Sequence, residues 1–323
     1  MKAQIYTQYG PPEVVRFAEI AKPTFGKSDI LIKVMAATVN RTDSGFRSAE
    51  YFVSRFFSGL FRPKQPVLGC EFAGIILTIG VEVSKFKVGD RVFGFDDEGF
   101  GGHAEFKVIN ENKGVTHIPA GLDFETAAAL SEGSHYALGN IRAAKVDSSH
   151  HVLVIGGTGG IGSAAIQLIK AMGAKVTAVC PGAYLEVVKN LGADRVIDYQ
   201  TQDFTQTDEH YEFIFDAVGK SRFLICKPLL KEKGVYISTE LGPGLENIFL
   251  ALKHKFTSGK KLLFPIPSFT QEDIKFLKTQ YEEGHFKPLI DRVYDFDQIV
   301  EAYTYVETGQ KIGNVILQVA SPE

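Results

Sequence analysis

The stretch that decides the fold is His151-Val152-Leu153-Val154-Ile155-Gly156-Gly157-Thr158-Gly159-Gly160-Ile161-Gly162, followed by Ser163-Ala164-Ala165-Ile166-Gln167-Leu168-Ile169-Lys170. An apolar run of strand length passes directly into Gly157-x-Gly159-x-x-Gly162 and then into an apolar helical pattern. That context makes the glycine spacing a dinucleotide fingerprint. Gly157 is expected to make the tight turn and Gly159 to let the backbone approach a pyrophosphate. Gly162, with Ala164 and Ala165, lets the helix lie close on the sheet. Thr158, Gly160 and Ile161 complete the turn, and the N–H groups and dipole at the helix start would hold the anion.

Working outward, strand and helix patterns alternate: strands at 152–155, 175–180, 195–197, 213–217 and 235–238, helices at 161–172, 185–191 and 223–230. Alternation with short Gly-containing connections predicts a parallel sheet covered on both faces, an α/β domain over residues 123–265. Before it, 30–34, 72–77, 91–95 and 104–108 read as short strands punctuated by Gly69, Gly74, Gly80 and Gly89, a mostly-β domain. After it come a helix at 271–283 and a final strand at 314–319. The late strand predicts a discontinuous first domain, residues 1–122 and 266–323, with the α/β domain inserted.

Composition narrows the function classes. A chain of 323 residues suits two domains of about 150 residues each. Lys plus Arg number 35 against 38 Asp plus Glu, with no long basic block, which argues against nucleic acid as a partner. No apolar run approaches the roughly 18 residues of a membrane span. The start, Met1-Lys2-Ala3-Gln4-Ile5-Tyr6, lacks the apolar stretch of a secretory signal, so a cytoplasmic location is expected. The three cysteines, Cys70, Cys180 and Cys226, form no Cys-x-x-Cys pair, so neither a disulfide framework nor a four-cysteine zinc site is expected.

The second strand of the α/β domain ends where an NAD-selecting site carries Asp or Glu for the ribose 2′-hydroxyl. This chain has Cys180-Pro181-Gly182-Ala183-Tyr184 there. Without that carboxylate, NADP(H) is favoured over NAD(H). No Lys or Arg lies within 181–184 to meet a 2′-phosphate, which leaves the hydroxyls of Tyr184 and Tyr199.

Several further motifs run the length of the chain: Val39-Asn40-Arg41-Thr42-Asp43, Val67-Leu68-Gly69-Cys70-Glu71-Phe72-Ala73-Gly74, Val88-Gly89-Asp90-Arg91-Val92-Phe93, Leu191-Gly192-Ala193-Asp194, Val196-Ile197-Asp198-Tyr199 and Phe215-Asp216-Ala217-Val218-Gly219. Together with the glycine-rich turn they resemble the medium-chain dehydrogenase/reductase superfamily, in its zinc-free quinone oxidoreductase (zeta-crystallin-like) branch. The resemblance implies a Rossmann doubly wound parallel sheet inserted into a mostly-β GroES-like domain, and a homodimer with edge strands near 260–264. Zinc-bearing relatives use Cys where this chain has Asn40, His where it has Cys70, and an acid matching Glu71. One thiol and one carboxylate fall short of the three protein ligands of a catalytic zinc, so no metal is expected.

A hydride acceptor that needs no Lewis acid is a quinone or an α,β-unsaturated carbonyl. The resemblance implies an NADPH-dependent reductase of such alkenals, enones or quinones, with Tyr51 as the phenol that donates a proton and Asn40 beside the nicotinamide, donating to a substrate oxygen or holding a water. Asp43 is a candidate loop anchor. Gly219 is implied as a cofactor contact, with Lys220 beside it, and Lys311 is left as a solvated charge. Phe52, Phe56, Phe57 and Phe61 fall four apart in two pairs, predicting a helical lid whose Phe56 and Phe57 wall the acceptor pocket. An enoyl-thioester reductase and a non-catalytic NADPH-binding sensor or scaffold are the alternatives.

Overall fold

The computed structural model describes residues 1–50, 55–255 and 257–320. The chain divides into two compact units, the first comprising Met1–Glu132, Phe269–Thr279 and the residues from Pro288 onward, the second Gly133–Ser268 with Gln280–Lys287. In chain order the elements are β1 (Lys2–Ile5), β2 (Arg16–Glu19), β3 (Asp29–Thr38), α1 (Arg41–Ser48), α2 (Arg55–Ser58), β4 (Glu71–Ile79), β5 (Arg91–Phe95), β6 (Phe106–Asn110), β7 (Val115–His117) and α3 (Phe124–Ala128). There follow α4 (Glu132–Ala144), β8 (His151–Ile155), α5 (Gly160–Ala171), β9 (Lys175–Cys180), α6 (Leu185–Asn190), β10 (Arg195–Asp198), β11 (Tyr211–Asp216), α7 (Phe223–Cys226), β12 (Leu230–Ser238), α8 (Glu246–His254) and β13 (Lys261–Leu263). The chain closes with α9 (Gln271–Glu282), β14 (Ile290–Asp295), α10 (Ile299–Glu307) and β15 (Asn314–Gln318).

The first unit is built on a sheet in the order β14-β15-β3-β4-β5-β7, with β6 pairing β3. The late strand β15 runs antiparallel to β3, placing Leu317 opposite Ala37. Along β3 the side chains of Ile30, Ile32 and Val34 alternate into the core, where they join Phe72, Ile76, Val92 and Phe95 and, from α10, Tyr303 and Val306. Helix α3 packs on β3 and β4, although its Ala-rich sequence begins the segment expected to be α/β.

The second unit is a six-stranded parallel sheet in the order β10-β9-β8-β11-β12-β13. The order reverses between β8 and β11, a topological switch point, and the carboxyl ends of strands there are where open α/β sheets bind ligands. Strand β8 is central and solvent-free from Val152 to Val154, as its unbroken apolar run predicts.

Some local expectations differ. The helix expected over 223–230 stops at Cys226, because Pro228 ends α-helical hydrogen bonding and the chain passes through a tight turn into β12. The described part of the lid segment includes α2; Gly59 has φ +125°, so the helix closes at Ser58 and Phe61 is not on it. Phe61 is 89% exposed. Helix α8 was not anticipated because Phe249 and Leu252 face solvent, which removes the one-sided apolar stripe. Among the described residues no helix is long and apolar enough to cross a membrane.

Candidate functional site

In the α/β unit the candidate site begins at the end of β8. Gly156 has φ +86°, so the turn is made there and not at Gly157. The N–H groups of Gly156 and Gly157 both donate to the carbonyl of Val179 at 3.0 Å, tying the turn to β9. A Cβ on Gly157 would lie 3.1–3.3 Å from Ile166, Ala178 and Val188, and one on Gly162 would lie 2.1 Å from the Gly156 carbonyl oxygen. Those two glycines are packing requirements. At Gly159 the nearest atom to such a Cβ is 3.6 Å away, so its missing side chain leaves open surface.

Gly159 is the N-cap of α5, and no side chain caps that end. The first helical bond is Ser163 N–H to the Gly159 carbonyl at 2.8 Å, so the N–H groups of Gly160, Ile161 and Gly162 start a helix without intrahelical partners. Thr158 is buried in the same turn. Uncapped donors at the end of a twelve-residue helix fit a pyrophosphate.

The turn is flanked by the loop after β11. Gly219 has φ +63°, and a Cβ there would fall 2.2 Å from Glu240, so its contribution is backbone alone. Asp216 shapes the loop, accepting from the N–H groups of Val218 (3.3 Å), Lys220 (3.2 Å) and Ser221 (2.7 Å) and from the Tyr236 hydroxyl (3.1 Å). Val218 fills the space a Cβ on Gly156 would take, at 2.5 Å. The sequence signal for a carboxylate that organises its own loop in this way is Asp216 preceding Gly219.

At the end of β9, Cys180 is buried, and burial, with Asp198 adding to it, pushes its thiol up to about 11. It is a neutral group at that position. Tyr184 is half-buried and Tyr199 is 56% exposed. A carboxylate does approach this corner from the neighbouring strand: Asp198 pairs in register with Cys180. Its oxygens are held in a turn by the Gln200 N–H (3.0 Å) and the Thr201 hydroxyl (3.1 Å).

The β unit gathers a buried polar cluster from four distant segments. Asn40 leaves β3 and starts α1, and its amide donates to Thr38 Oγ1 (2.9 Å) and Glu71 Oε2 (2.8 Å). Both amide hydrogens are thereby engaged. As folded here the side chain has no N–H left for a substrate oxygen, and it forms a capping box with Asp43 at the start of α1. Glu71 is fully buried and also accepts from Thr38 (2.7 Å), from the Ser131 N–H (3.0 Å) and hydroxyl (2.9 Å), and from the Glu132 N–H (2.6 Å). Burial pushes its carboxyl up, and these donors oppose the shift.

Asp43 is a loop anchor, accepting from the N–H groups of Asn40 (3.2 Å), Gly69 (3.0 Å) and Cys70 (3.2 Å). The buried His103 contacts the Thr38 carbonyl through Nε2 (2.8 Å) and the Tyr303 hydroxyl through Nδ1 (3.4 Å). Two residues outside the sequence-predicted set belong here. Glu132 is buried, and its carboxyl is raised well above the usual range by burial, then by Glu71 and Asp43; the Thr42 side chain is bonded to it. Lys311 is not a freely solvated charge: burial pulls its ammonium down, opposed by Glu132, Glu71 and Asp291, and it donates to the Gly313 carbonyl at 2.5 Å.

This donor set does not fit zinc. Cys70 is held as a thiol by burial and by the surrounding carboxylates, with its sulfur 4.0 Å from Asp43 Oδ2, and Glu71 is saturated with hydrogen bonds. Among the described residues no group of three His, Cys, Asp or Glu side chains is placed to hold a metal ion.

The remaining predicted residues are Tyr51, Phe56 and Phe57. Tyr51 lies outside the described residues, as does the side chain of Phe57, whose backbone is in α2. Phe56 is 64% exposed.

The chain matches two family models, an alcohol dehydrogenase GroES-like domain over residues 26–120 and a zinc-binding dehydrogenase domain over 191–317. It is 32% identical to a 2-methylene-furan-3-one reductase of Solanum lycopersicum, over 98% of this chain and 79% of that one. It is 30% identical to an NADPH-dependent alkenal/one oxidoreductase of Arabidopsis thaliana, described as chloroplastic, again over 98% and 79%. Among solved structures, a quinone oxidoreductase from Coxiella burnetii superposes with a TM-score of 0.87 at 28% identity, covering 99% of each chain.

Proposed function

The chain belongs to the medium-chain dehydrogenase/reductase family, in its quinone oxidoreductase branch, and on that premise we propose that it is an NADPH-dependent reductase of quinones or α,β-unsaturated carbonyls. The observation that carries the reading is the uncapped start of α5 behind a turn whose glycines leave Gly159 open. The α/β unit would hold the dinucleotide through the N–H groups of Gly160, Ile161 and Gly162, with Gly219 contributing backbone. When bound, the reduced nicotinamide supplies a hydride.

Preference for NADPH rests on the neutral Cys180 where an NAD-selecting acid would stand, and on the hydroxyls of Tyr184 and Tyr199. The name of the Arabidopsis relative agrees with it. Zinc has no part in the proposed reaction. Activated acceptors suit such a site, because conjugation already lowers the barrier and the protein needs to orient, exclude water and supply a proton. Asn40 would act on the acceptor only through a bridging water, since its own amide hydrogens are bonded to Thr38 and Glu71. Assembly as a homodimer through the edge strand β13 is part of the proposal, and light scattering on the purified chain tests it.

The decisive experiment follows NADPH absorbance with a quinone, an enal and an enoyl thioester in parallel. Turnover with the first two and little with the third is expected. Tight NADPH binding without oxidation by any acceptor would replace the reductase reading with a binding protein, and preference for NADH would overturn the cofactor assignment.

A further inference from the structure

We propose that Glu132 is the proton donor to the reduced acceptor, a reading that rests on the reductase activity proposed above. It stands at the first residue of α4, 6% exposed, beside the Asn40–Glu71 pair, its backbone N–H held by Glu71 at 2.6 Å. Its acidic neighbours are committed elsewhere. Glu71 accepts five hydrogen bonds and Asp43 accepts from three backbone N–H groups. Asn40 has spent both amide hydrogens. The Glu132 carboxyl is bonded by the Thr42 side chain and is not one of the acceptors that fix the loop backbone.

The charged groups that face it are Glu71 on β4, Asp43 on α1 and Lys311 in the segment before β15; Lys311 in turn faces Glu71, Asp291 and Arg41. Burial, then Glu71 and Asp43, raises the carboxyl well above its ordinary range and so favours the acid form that a donor needs. Lys311 works in the opposite direction and limits how far the carboxyl is raised.

The chemistry needs such a group for one acceptor class more than the other. Hydride addition at the β-carbon of an enone places the displaced electron pair on the carbonyl oxygen as an enolate. The Glu132 O–H bond breaks, a C–H bond forms at the α-carbon, and the resulting carboxylate is reprotonated by water. A quinone that accepts hydride becomes a phenolate stabilised by aromaticity, and water can protonate that oxygen without help.

The test compares wild type, Glu132→Gln and Lys311→Met with a small enone and with p-benzoquinone, NADPH saturating. Glu132→Gln should lower enone turnover by about a hundredfold and quinone turnover by less than about threefold. Enone turnover in the wild type should fall on an alkaline limb that Glu132→Gln lacks. Lys311→Met should move that limb to higher pH, since the carboxyl loses its opposing ammonium. Independently of turnover, the infrared spectrum of the chain without cofactor at mildly alkaline pH should contain a carboxylic-acid carbonyl band that Glu132→Gln removes. An unchanged enone-to-quinone ratio, an unchanged pH profile or the absence of that band would overturn the assignment. If the wild type reduces neither acceptor, the reductase reading itself fails, a result separate from these.

Discussion

The two units carry their candidate machinery in different ways. In the α/β unit its centre is one contiguous turn, Gly156 to Gly162, where small residues and backbone N–H groups would do the binding. In the β unit it is assembled from residues 38–43, 70–71, 131–132 and 311, and its properties come from side chains sharing a dry environment. A backbone site tolerates no added side chain at the wrong glycine. A side-chain site depends on keeping every buried donor and acceptor matched.

The largest expected effects separate the glycines. Gly162→Ala drives a Cβ into the Gly156 carbonyl and should cost stability, about 1–3 kcal/mol, together with NADPH binding. Gly159→Val adds bulk where there is room inside the protein, so it should melt like the wild type yet bind NADPH at least about tenfold more weakly. Calorimetric melts beside fluorescence titrations check both. If Gly159→Val bound NADPH normally, the open surface at this glycine would not be the pyrophosphate site.

Next in size is Glu71→Leu. It strands the donors of Thr38, Asn40, Ser131 and Glu132 and should destabilise the chain by about 3–5 kcal/mol, read as a lower denaturation midpoint.

A pH effect of moderate size follows from the raised carboxyls of Asp43, Glu71 and Glu132. Folding favours their protonated forms, so this contribution is complete below the ordinary carboxyl range near about pH 4 and is lost as pH rises through the folded values. Relative to the wild type, Glu132→Gln should gain melting temperature as pH rises above the ordinary carboxyl range, since the amide has no proton to lose. Parallel slopes for the two proteins would remove Glu132 from the set that titrates.

The same contrast explains what the sequence made legible. The glycine spacing, the buried run of β8 and the strand–helix alternation are local signals, and the parallel sheet followed from them. Glu132 gave no such signal, and Lys311 reads from sequence as a solvated charge. A glutamate after Ala-Ala-Ala-Leu-Ser and a lysine near the C-terminus acquire their character only when burial and unlike charges meet across the sequence. Asn40 was found, but its donors proved to be taken by Thr38 and Glu71, partners that only the fold brings together. Even the turn was misassigned by one glycine, because spacing does not say which member has positive φ.

The smallest expected change concerns cofactor choice. Cys180→Asp places a carboxylate at the end of β9 and should shift the NADPH-to-NADH affinity ratio toward NADH by about tenfold, with a lower melting temperature because the site is buried and faces Asp198. A ratio left unmoved would transfer the discrimination to Tyr184, Tyr199 or Asp198.

The most direct test of the reductase reading uses NADPH carrying deuterium at the hydride position of the nicotinamide, a small enone and the purified wild-type chain. Mass and NMR analysis should find one deuterium at the β-carbon of the saturated product and a solvent-derived hydrogen at the α-carbon. Product without label at the β-carbon, or unconsumed enone in the presence of bound NADPH, would contradict it.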